Sequence, residues 1–177
     1  SVPTWLLNLE GVVLSVSGDR DRGRDFVRYL AAEIACNPWS LWTDLDLVGV
    51  GAEMATIAPS RIHHHRDAAA VAGAATAAAI KTIDWLNQTG DADVPAGRCR
   101  DTEADAWPSR MLILGASNGE AEVDALAGLV STQEARTATA LVVTSEEGRG
   151  LQLVIDDQGR LVAPAVGLVL TAVGMTQ

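Results

Sequence analysis

The residues Ser-Gly-Asp-Arg-Asp-Arg-Gly-Arg-Asp, at positions 17–25, follow an apolar run at positions 12–16 and precede a helical pattern that starts at Phe26. Gly18 and Gly23 have the spacing of a phosphate-binding loop, in which backbone N–H groups, a Lys and a hydroxyl hold phosphates and Mg²⁺ between a strand and a helix. Arg24 stands in place of the Lys, and Asp25 stands in place of the hydroxyl. The stretch therefore predicts a degenerate phosphate loop between a central strand and the first helix.

Charges within this stretch weaken its attraction for an anion. Three aspartates lie between or just after the two glycines, and three arginines alternate with them. A carboxylate about 4 Å from a phosphate charge costs about 4 kcal/mol at an effective dielectric constant near 20. The arginines offset that cost and leave the segment formally neutral. The candidate residues of the degenerate phosphate loop are Gly18, Asp19, Arg20, Gly23, Arg24 and Asp25.

Composition predicts one globular domain. The chain has 177 residues, of which 48% are apolar and 20% are charged, which is enough for a substantial core. A net charge of −10 argues against nucleic acid as a partner, because a nucleic-acid surface needs clustered cations. Cys36 and Cys99 lack Cys-x-x-Cys spacing, so they predict neither a disulfide framework nor a zinc site. We expect a cytoplasmic domain without a cofactor, cut from a larger protein whose membrane anchors lie outside it.

Apolar runs alternate with helical patterns along the chain, which predicts an α/β domain of three layers. We predict a mostly parallel sheet that has helices on both faces and ends in a C-terminal antiparallel hairpin. The predicted strands cover Trp5–Glu10, Val12–Ser17, Leu45–Val50, Arg61–His65, Arg110–Gly115, Ala140–Thr144, Leu151–Ile155, Arg160–Val162 and Gly167–Thr171. The predicted helices cover Phe26–Asn37, Gly51–Ile57, Asp67–Gln88 with Asp67 as N-cap, and Gly119–Ser131 with Asn118 as N-cap.

Two other segments are interpreted from their composition. Thr89–Pro108 contains Gly, Pro and acidic residues without periodicity, and we expect an inserted loop within a single domain that covers positions 1–177. Trp39 and Trp42 flank the turn after the first helix. Large aromatic residues near a helix end usually close a core, so both are predicted to be packing anchors.

The three consecutive histidines, His63–His65, lie in a short predicted strand. Successive side chains of a strand point to opposite faces, so only His63 and His65 share a face, and a third metal ligand is lacking. We therefore expect a solvated strand end and no metal.

A binding crevice is expected beyond the carboxyl ends of the parallel strands. The exit Gly115–Ser117 carries no carboxylate, whereas Glu146 and Glu147 follow the strand that ends at Thr144. Glu146 and Glu147 are therefore the candidate acids at a strand exit, and the alternative is that they form a solvated turn.

The order of strand, glycine loop, Arg-rich helix and second strand resembles the motor domain of FtsK/SpoIIIE-type DNA translocases. A closer resemblance is to an α/β domain of bacterial multidomain membrane proteins that carry LysM and transcriptional-activator modules. The resemblance implies a degenerate relative of a P-loop NTPase, and it transfers no catalytic residue, because Arg24, Asp25 and Gly115–Ser117 occupy the motif positions. The matching motifs are Leu7–Glu10, Gly18–Arg20, Ala32–Ala35, Pro38-Trp39, Leu47–Gly49, Leu151–Asp156, Gly159–Leu161, Pro164 and Gly167–Thr171.

Three functions follow from these observations. The leading one is a non-catalytic interaction or regulatory module of a larger bacterial protein, whose partner is another protein or another domain of the same chain. The second is a nucleotide-binding P-loop-type NTPase in which Arg24 replaces the Lys and Glu146 or Glu147 replaces the missing acid. The third is a sensor of a small ligand held between Trp39, Trp42 and the strand ends.

Overall fold

The computed structural model describes residues 7–100, 108–115, 119–145 and 148–176. Eight strands and four helices alternate along this part of the chain. The strands are β1 (Val13–Gly18), β2 (Thr43–Val48), β3 (Ile62–His65), β4 (Ser109–Leu114), β5 (Thr139–Thr144), β6 (Leu151–Ile155), β7 (Arg160–Ala163) and β8 (Leu168–Thr171). The helices are α1 (Arg20–Cys36), α2 (Ala68–Thr89), α3 (Val94–Arg100) and α4 (Glu120–Gln133).

The strands form one sheet in the order β3-β2-β4-β5-β1-β6-β7-β8. Neighbouring strands from β3 to β6 are parallel, and β7 and β8 pair antiparallel at the end of the sheet. The predicted α/β class, with a mostly parallel sheet and a C-terminal antiparallel hairpin, is therefore confirmed. Long apolar runs such as Leu112–Leu114 and Leu141–Val143 are buried because both faces of the parallel strands are covered.

Two cores lie on opposite faces of the sheet. On one face, α1 packs Val27 and Ala31 against strand residues such as Leu47 and Ile113. On the other face, α2 and α4 pack against the residues that alternate with these, such as Leu112. The helices thus form the outer layers of a three-layer domain.

Helix α1 begins earlier than the sequence pattern predicts. The predicted start was Phe26, but the helix starts at Arg20, because the side chain of Asp19 accepts a hydrogen bond from the Arg22 N–H at 2.9 Å and caps the first turn. The predicted loop is therefore mostly helix. The residues of α1 that are fully buried are Gly23, Val27, Ala31 and Ala35, while the larger Phe26, Leu30 and Ile34 flank them and are partly buried.

The predicted first strand is wrong over its described part. Residues Leu7–Gly11 are not a strand, and Val12 N–H instead donates to the Leu9 carbonyl at 3.0 Å in a turn. Trp5 lies outside the described residues. By contrast, the predicted N-cap of α2 is confirmed, because the Asp67 carboxylate accepts from the Ala70 N–H at 3.2 Å.

The segment Thr89–Pro108 is not simply a loop. It contains α3, which starts where the Asp93 side chain accepts from the Ala96 N–H at 2.8 Å, and whose Val94 is buried against α2. Periodicity missed this helix because seven residues make only two turns. Positions 101–107 lie outside the described residues, as does the predicted cap Asn118.

The turn from β1 into α1 consists of the single residue Asp19. Its N–H donates to the Ile155 carbonyl at 2.7 Å, so β6 holds the end of β1 and the start of α1 together. Gly18 has φ +97°, and a Cβ there would lie 2.2 Å from the Ile155 carbonyl oxygen. Only glycine fits this position, for both conformational and steric reasons.

Replacing Gly18 with Ala should therefore destabilise the domain by more than about 2 kcal/mol, because a Cβ at positive φ collides with backbone rather than with a movable side chain. Urea unfolding followed by circular dichroism measures the change. Gly73→Ala is the matched control, since a Cβ at Gly73 meets nothing within 4 Å and α2 should gain up to about 1 kcal/mol. Equal effects at the two glycines would contradict the packing role of Gly18.

Candidate functional site

A crevice lies where the carboxyl ends of β1, β4 and β5 meet the start of α1. Its volume is about 490 Å³, and we call it the carboxyl-end crevice. Helix α1 follows β1 on one face and α4 follows β4 on the other, so this is the place where open α/β sheets usually bind ligands. The crevice is lined by Val16, Ser17, Gly18, Asp19, Arg20, Gly23, Arg24, Gly49, Gly115, Thr144 and Ser145.

Five of the six predicted loop residues line this crevice, but they do not form an open loop around it. Gly23 is buried one turn into α1, and a Cβ there would lie 3.5 Å from the Val16 side chain, so its glycine keeps the helix close to β1. Gly18 faces β6. The spacing of the two glycines therefore has a packing explanation that needs no phosphate.

The arginines of this stretch point in different directions. Arg22 Nε donates to the Asp157 carbonyl at 2.8 Å and so lies against the β6–β7 turn. Arg20 and Arg24 line the carboxyl-end crevice. The wall of the crevice thus has two cations, the Asp19 carboxylate and the N-terminus of α1, which together attract an anion only weakly.

A second hollow of about 440 Å³ adjoins the first and shares Arg24 and Gly49 with it. Asp25, the sixth predicted loop residue, lines this hollow rather than the crevice. Its charges are mixed, because Asp21 and Asp25 face the same space as the arginines. Glu146 and Glu147, the predicted acids of this end of the sheet, lie outside the described residues.

Glu53 and Arg28 form an ion pair beside this second hollow. Arg28 Nε donates to Glu53 Oε1 at 2.6 Å, and the second contact involves Arg28 Nη2. Burial alone would raise the pKa of Glu53, but a hydrogen bond from its own backbone and the neighbouring Arg28 outweigh burial and lower that pKa. The pair ties α1 to the short turn that follows β2.

The histidines lie on β3, at an edge of the sheet. His65 Nε2 lies 2.7 Å from Oδ1 of the buried Asp46, whose other oxygen is 3.4 Å from Arg110 Nε. The His63 and His65 rings are 6.3 Å apart between centroids. Within the described ranges, no group of three or more His, Cys, Asp or Glu residues is placed to hold a metal ion. The Nε2 atom of His65 instead contacts a buried carboxylate.

A third hollow, larger than the other two, lies at the opposite end of the sheet. Its volume is about 770 Å³, and we call it the tryptophan hollow. It lies at the amino ends of β2, β4 and β5, beside the C-terminus of α1. It is lined by Leu7, Asn8, Leu9, Glu10, Leu30, Glu33, Ile34, Asn37, Trp39, Ser40, Trp42, Thr43, Arg98, Ser109, Arg110, Met111 and Ala140.

The prediction that Trp39 and Trp42 anchor the core is wrong. The Trp39 side chain is 93% exposed and Trp42 is 67% exposed, and both stand at the rim of the tryptophan hollow with Leu7 at 55%. The reason is that both lie in the connection between α1 and β2, which contains the short 3₁₀ turn Pro38–Ser40, and no residue of this turn is buried. The signal in the sequence was the presence of two tryptophans within the six residues that connect α1 to β2.

Hydrogen bonds hold this tryptophan turn in place. The Asn37 carboxamide oxygen accepts from the Trp39 N–H at 2.9 Å, and the Ser40 hydroxyl donates to the Ile34 carbonyl at 2.6 Å. The Arg61 guanidinium donates to four carbonyl oxygens of α1, the turn and β2, at distances from 2.5 to 3.3 Å. The exposed indoles therefore stand on a preorganised backbone.

The far wall of the tryptophan hollow is also rigid. Arg98 of α3 donates to both carboxylate oxygens of Glu10, at 2.7 and 2.6 Å, and Ser109 donates to the same carboxylate at 2.8 Å. Such a bidentate contact fixes both side chains. The hollow is thus closed on one side by paired charges and open on the other between the tryptophans.

Comparison of the chain with protein-family models, with curated proteins and with solved structures finds no match. Among the helices of the described ranges, none has the length and apolar character needed to cross a membrane. The site is therefore interpreted from its geometry.

The Arg28–Glu53 pair should make stability depend on pH. Because the pKa of Glu53 is lowered in the folded state, its contribution is present above the unfolded pKa of about 4.3 and is lost as the pH falls through the folded value. Arg28→Met, which keeps the apolar stem, should cost up to about 1 kcal/mol at pH 7, since the Glu53 side chain is 42% exposed.

Urea unfolding of wild type and Arg28→Met at pH 7 and pH 3 measures this difference. Glu53→Gln is the matched variant and should lose the same amount at pH 7. A cost of Arg28→Met that is unchanged at pH 3 would show that packing, and not the ion pair, is responsible.

Proposed function

We propose that this chain is a non-catalytic α/β domain that acts by binding another protein, and that the tryptophan hollow is its binding surface. The observation that carries the proposal is the exposure of Trp39 and Trp42 beside a hollow of about 770 Å³. Tryptophan is the residue most enriched among binding hot spots, and an apolar patch with a polar rim marks an interaction site.

The geometry of the turn from β1 to α1 supports the non-catalytic part of this proposal. A phosphate-wrapping loop needs several residues between strand and helix, whereas Asp19 alone separates β1 from α1. The Asp19 carboxylate already caps the first turn of α1. Arg24 and Asp25, at the positions of the Lys and the hydroxyl, lie in the second turn of the helix.

The resemblance supports the proposal that this domain belongs to a larger protein. The motifs Leu7–Glu10 and Pro38-Trp39 resemble segments of a domain of bacterial multidomain membrane proteins, and Leu7–Glu10 and Trp39 line the tryptophan hollow. We infer that the domain is an interaction or regulatory module within such a larger protein, descended from a nucleotide-binding ancestor.

The second candidate function is nucleotide binding at the carboxyl-end crevice. The observation that favours it is that Arg20 and Arg24 line a space of about 490 Å³ at the N-terminus of α1. Mixed charge from Asp21 and Asp25 in the adjoining hollow opposes it. We therefore retain it as the alternative.

If the tryptophans serve binding rather than folding, Trp39→Ala should change the free energy of unfolding by less than about 0.5 kcal/mol, because the side chain is 93% exposed. Leu86→Ala is the control: Leu86 is fully buried and should cost about 2–5 kcal/mol. Thermal and urea unfolding of both variants provide the measurement. If Trp39→Ala lowers the free energy of unfolding by more than about 2 kcal/mol, Trp39 is a packing anchor and not a binding residue.

Isothermal calorimetry with ATP and GTP in the presence of Mg²⁺ separates the two candidate functions. The proposal predicts no heat of binding for the wild-type chain and no nucleotide hydrolysis. Micromolar affinity that is lost in Arg24→Ala, together with turnover, would establish the second function and remove the first.

A further inference from the structure

We propose that the tryptophan hollow binds an arginine side chain presented by a basic peptide segment of a partner protein. This inference rests on the proposed function and names the chemistry of the partner. It follows from the charges that line the hollow, from the two indoles at its rim and from the apolar surface that continues beyond it.

Each charged side chain that lines the hollow has an ion-pair partner among the described residues, with one exception. Glu10 is bound by Arg98, and Arg110 lies 3.4 Å from the buried Asp46. Arg61, just behind the turn, gives its hydrogen bonds to four carbonyl oxygens. Among the ion pairs of the described residues, Glu33 has no cationic partner.

Glu33 is an exposed carboxylate that faces the hollow from the last turn of α1. Its described polar neighbour is the Tyr29 hydroxyl, and this hydrogen bond raises the pKa of Tyr29. Because tyrosine is neutral, the negative charge of Glu33 stays uncompensated. The last turn of α1 also carries no basic residue, so the helix C-terminus adds partial negative charge to the same wall.

Trp39 and Trp42 line the hollow together with Glu33. The face of an indole attracts a cation, and an arginine guanidinium stacks flat on aromatic rings while its edge donates to a carboxylate. A lysine ammonium lacks the planar surface for this double contact. The combination of two indoles and one unpaired carboxylate therefore fits a guanidinium group.

The surface around the hollow indicates that this guanidinium belongs to a polypeptide and not to a free small cation. Leu7, which lines the hollow, is 55% exposed, and Leu41, next to Trp42 in the chain, is 60% exposed. A small cation would occupy only part of the hollow and would leave these apolar side chains in water. A peptide with apolar residues next to its arginine covers it, and the net charge of −10 steers basic segments toward the chain.

The test uses the 177-residue chain and the peptide acetyl-Leu-Arg-Leu-Arg-Leu-amide, followed by tryptophan fluorescence and calorimetry. We expect saturable binding that weakens between 50 and 500 mM salt by about tenfold, as a charge-dependent contact should. Trp39→Ala should raise the Kd about fivefold to thirtyfold, and Glu33→Gln should raise it about threefold to tenfold. Trp85→Ala, a half-exposed tryptophan of α2 away from the hollow, is the control and should leave the Kd unchanged.

Three outcomes would overturn the inference. The first is absence of binding by the arginine peptide, or equal binding by the peptide in which glutamate replaces arginine. The second is a Kd that does not change in Glu33→Gln. The third is equally tight binding of acetyl-arginine amide alone, which would assign the site to a small cation.

The result also separates this inference from the proposed function. If a peptide with norleucine in place of arginine binds equally well, the inference that the hollow recognises arginine is wrong. The proposal of an apolar protein-binding surface would still stand. Nucleotide turnover in the calorimetric experiment would remove the proposed function itself.

Discussion

The close contact between the backbone of Gly18 and the carbonyl of Ile155 sets the geometry of the domain. This contact places β6 directly beside the end of β1. The Asp19 N–H then donates to the same Ile155 carbonyl, and α1 begins at the next residue. Asp19 then caps the helix, and Gly23 and Ala31 let the helix lie close to the sheet. A wide loop has no room here, and the crevice at this end of the sheet is bounded by the helix start itself.

The two ends of the sheet consequently have different chemistry. At the carboxyl ends, backbone turns and alternating charges leave crevices in which cations and carboxylates face the same space. At the amino ends, the turn after α1 leads outward and leaves Trp39 and Trp42 in solvent above an apolar hollow. Open parallel sheets usually bind ligands at the carboxyl ends of their strands, where helix N-termini attract anions. Here the side chains at the amino ends offer the better-defined surface.

Long-range contacts stabilise this second surface. Arg61, at the start of β3, holds the C-terminus of α1 and the tryptophan turn through four carbonyl oxygens. Arg98 of α3 and Glu10 before β1 fix the opposite wall, although they are 88 positions apart in the chain. A backbone that is held in this way would lose less conformational entropy on binding a partner.

The local pattern of the chain was enough to predict the α/β class, the strands from β1 to β8 within a few residues and the Asp67 cap, because apolar runs and capping side chains act over a few positions. It predicted neither the start of α1 nor the two-turn helix α3. Each of these helices begins at an aspartate N-cap, but the glycine or proline residues nearby are typical of loops. The exposure of Trp39, the pairing of Asp46 with His65 and the reason for Gly18 came from the three-dimensional arrangement. Each of these depends on which distant backbone or side chain lies next to the residue, and periodicity along the chain carries no information about that.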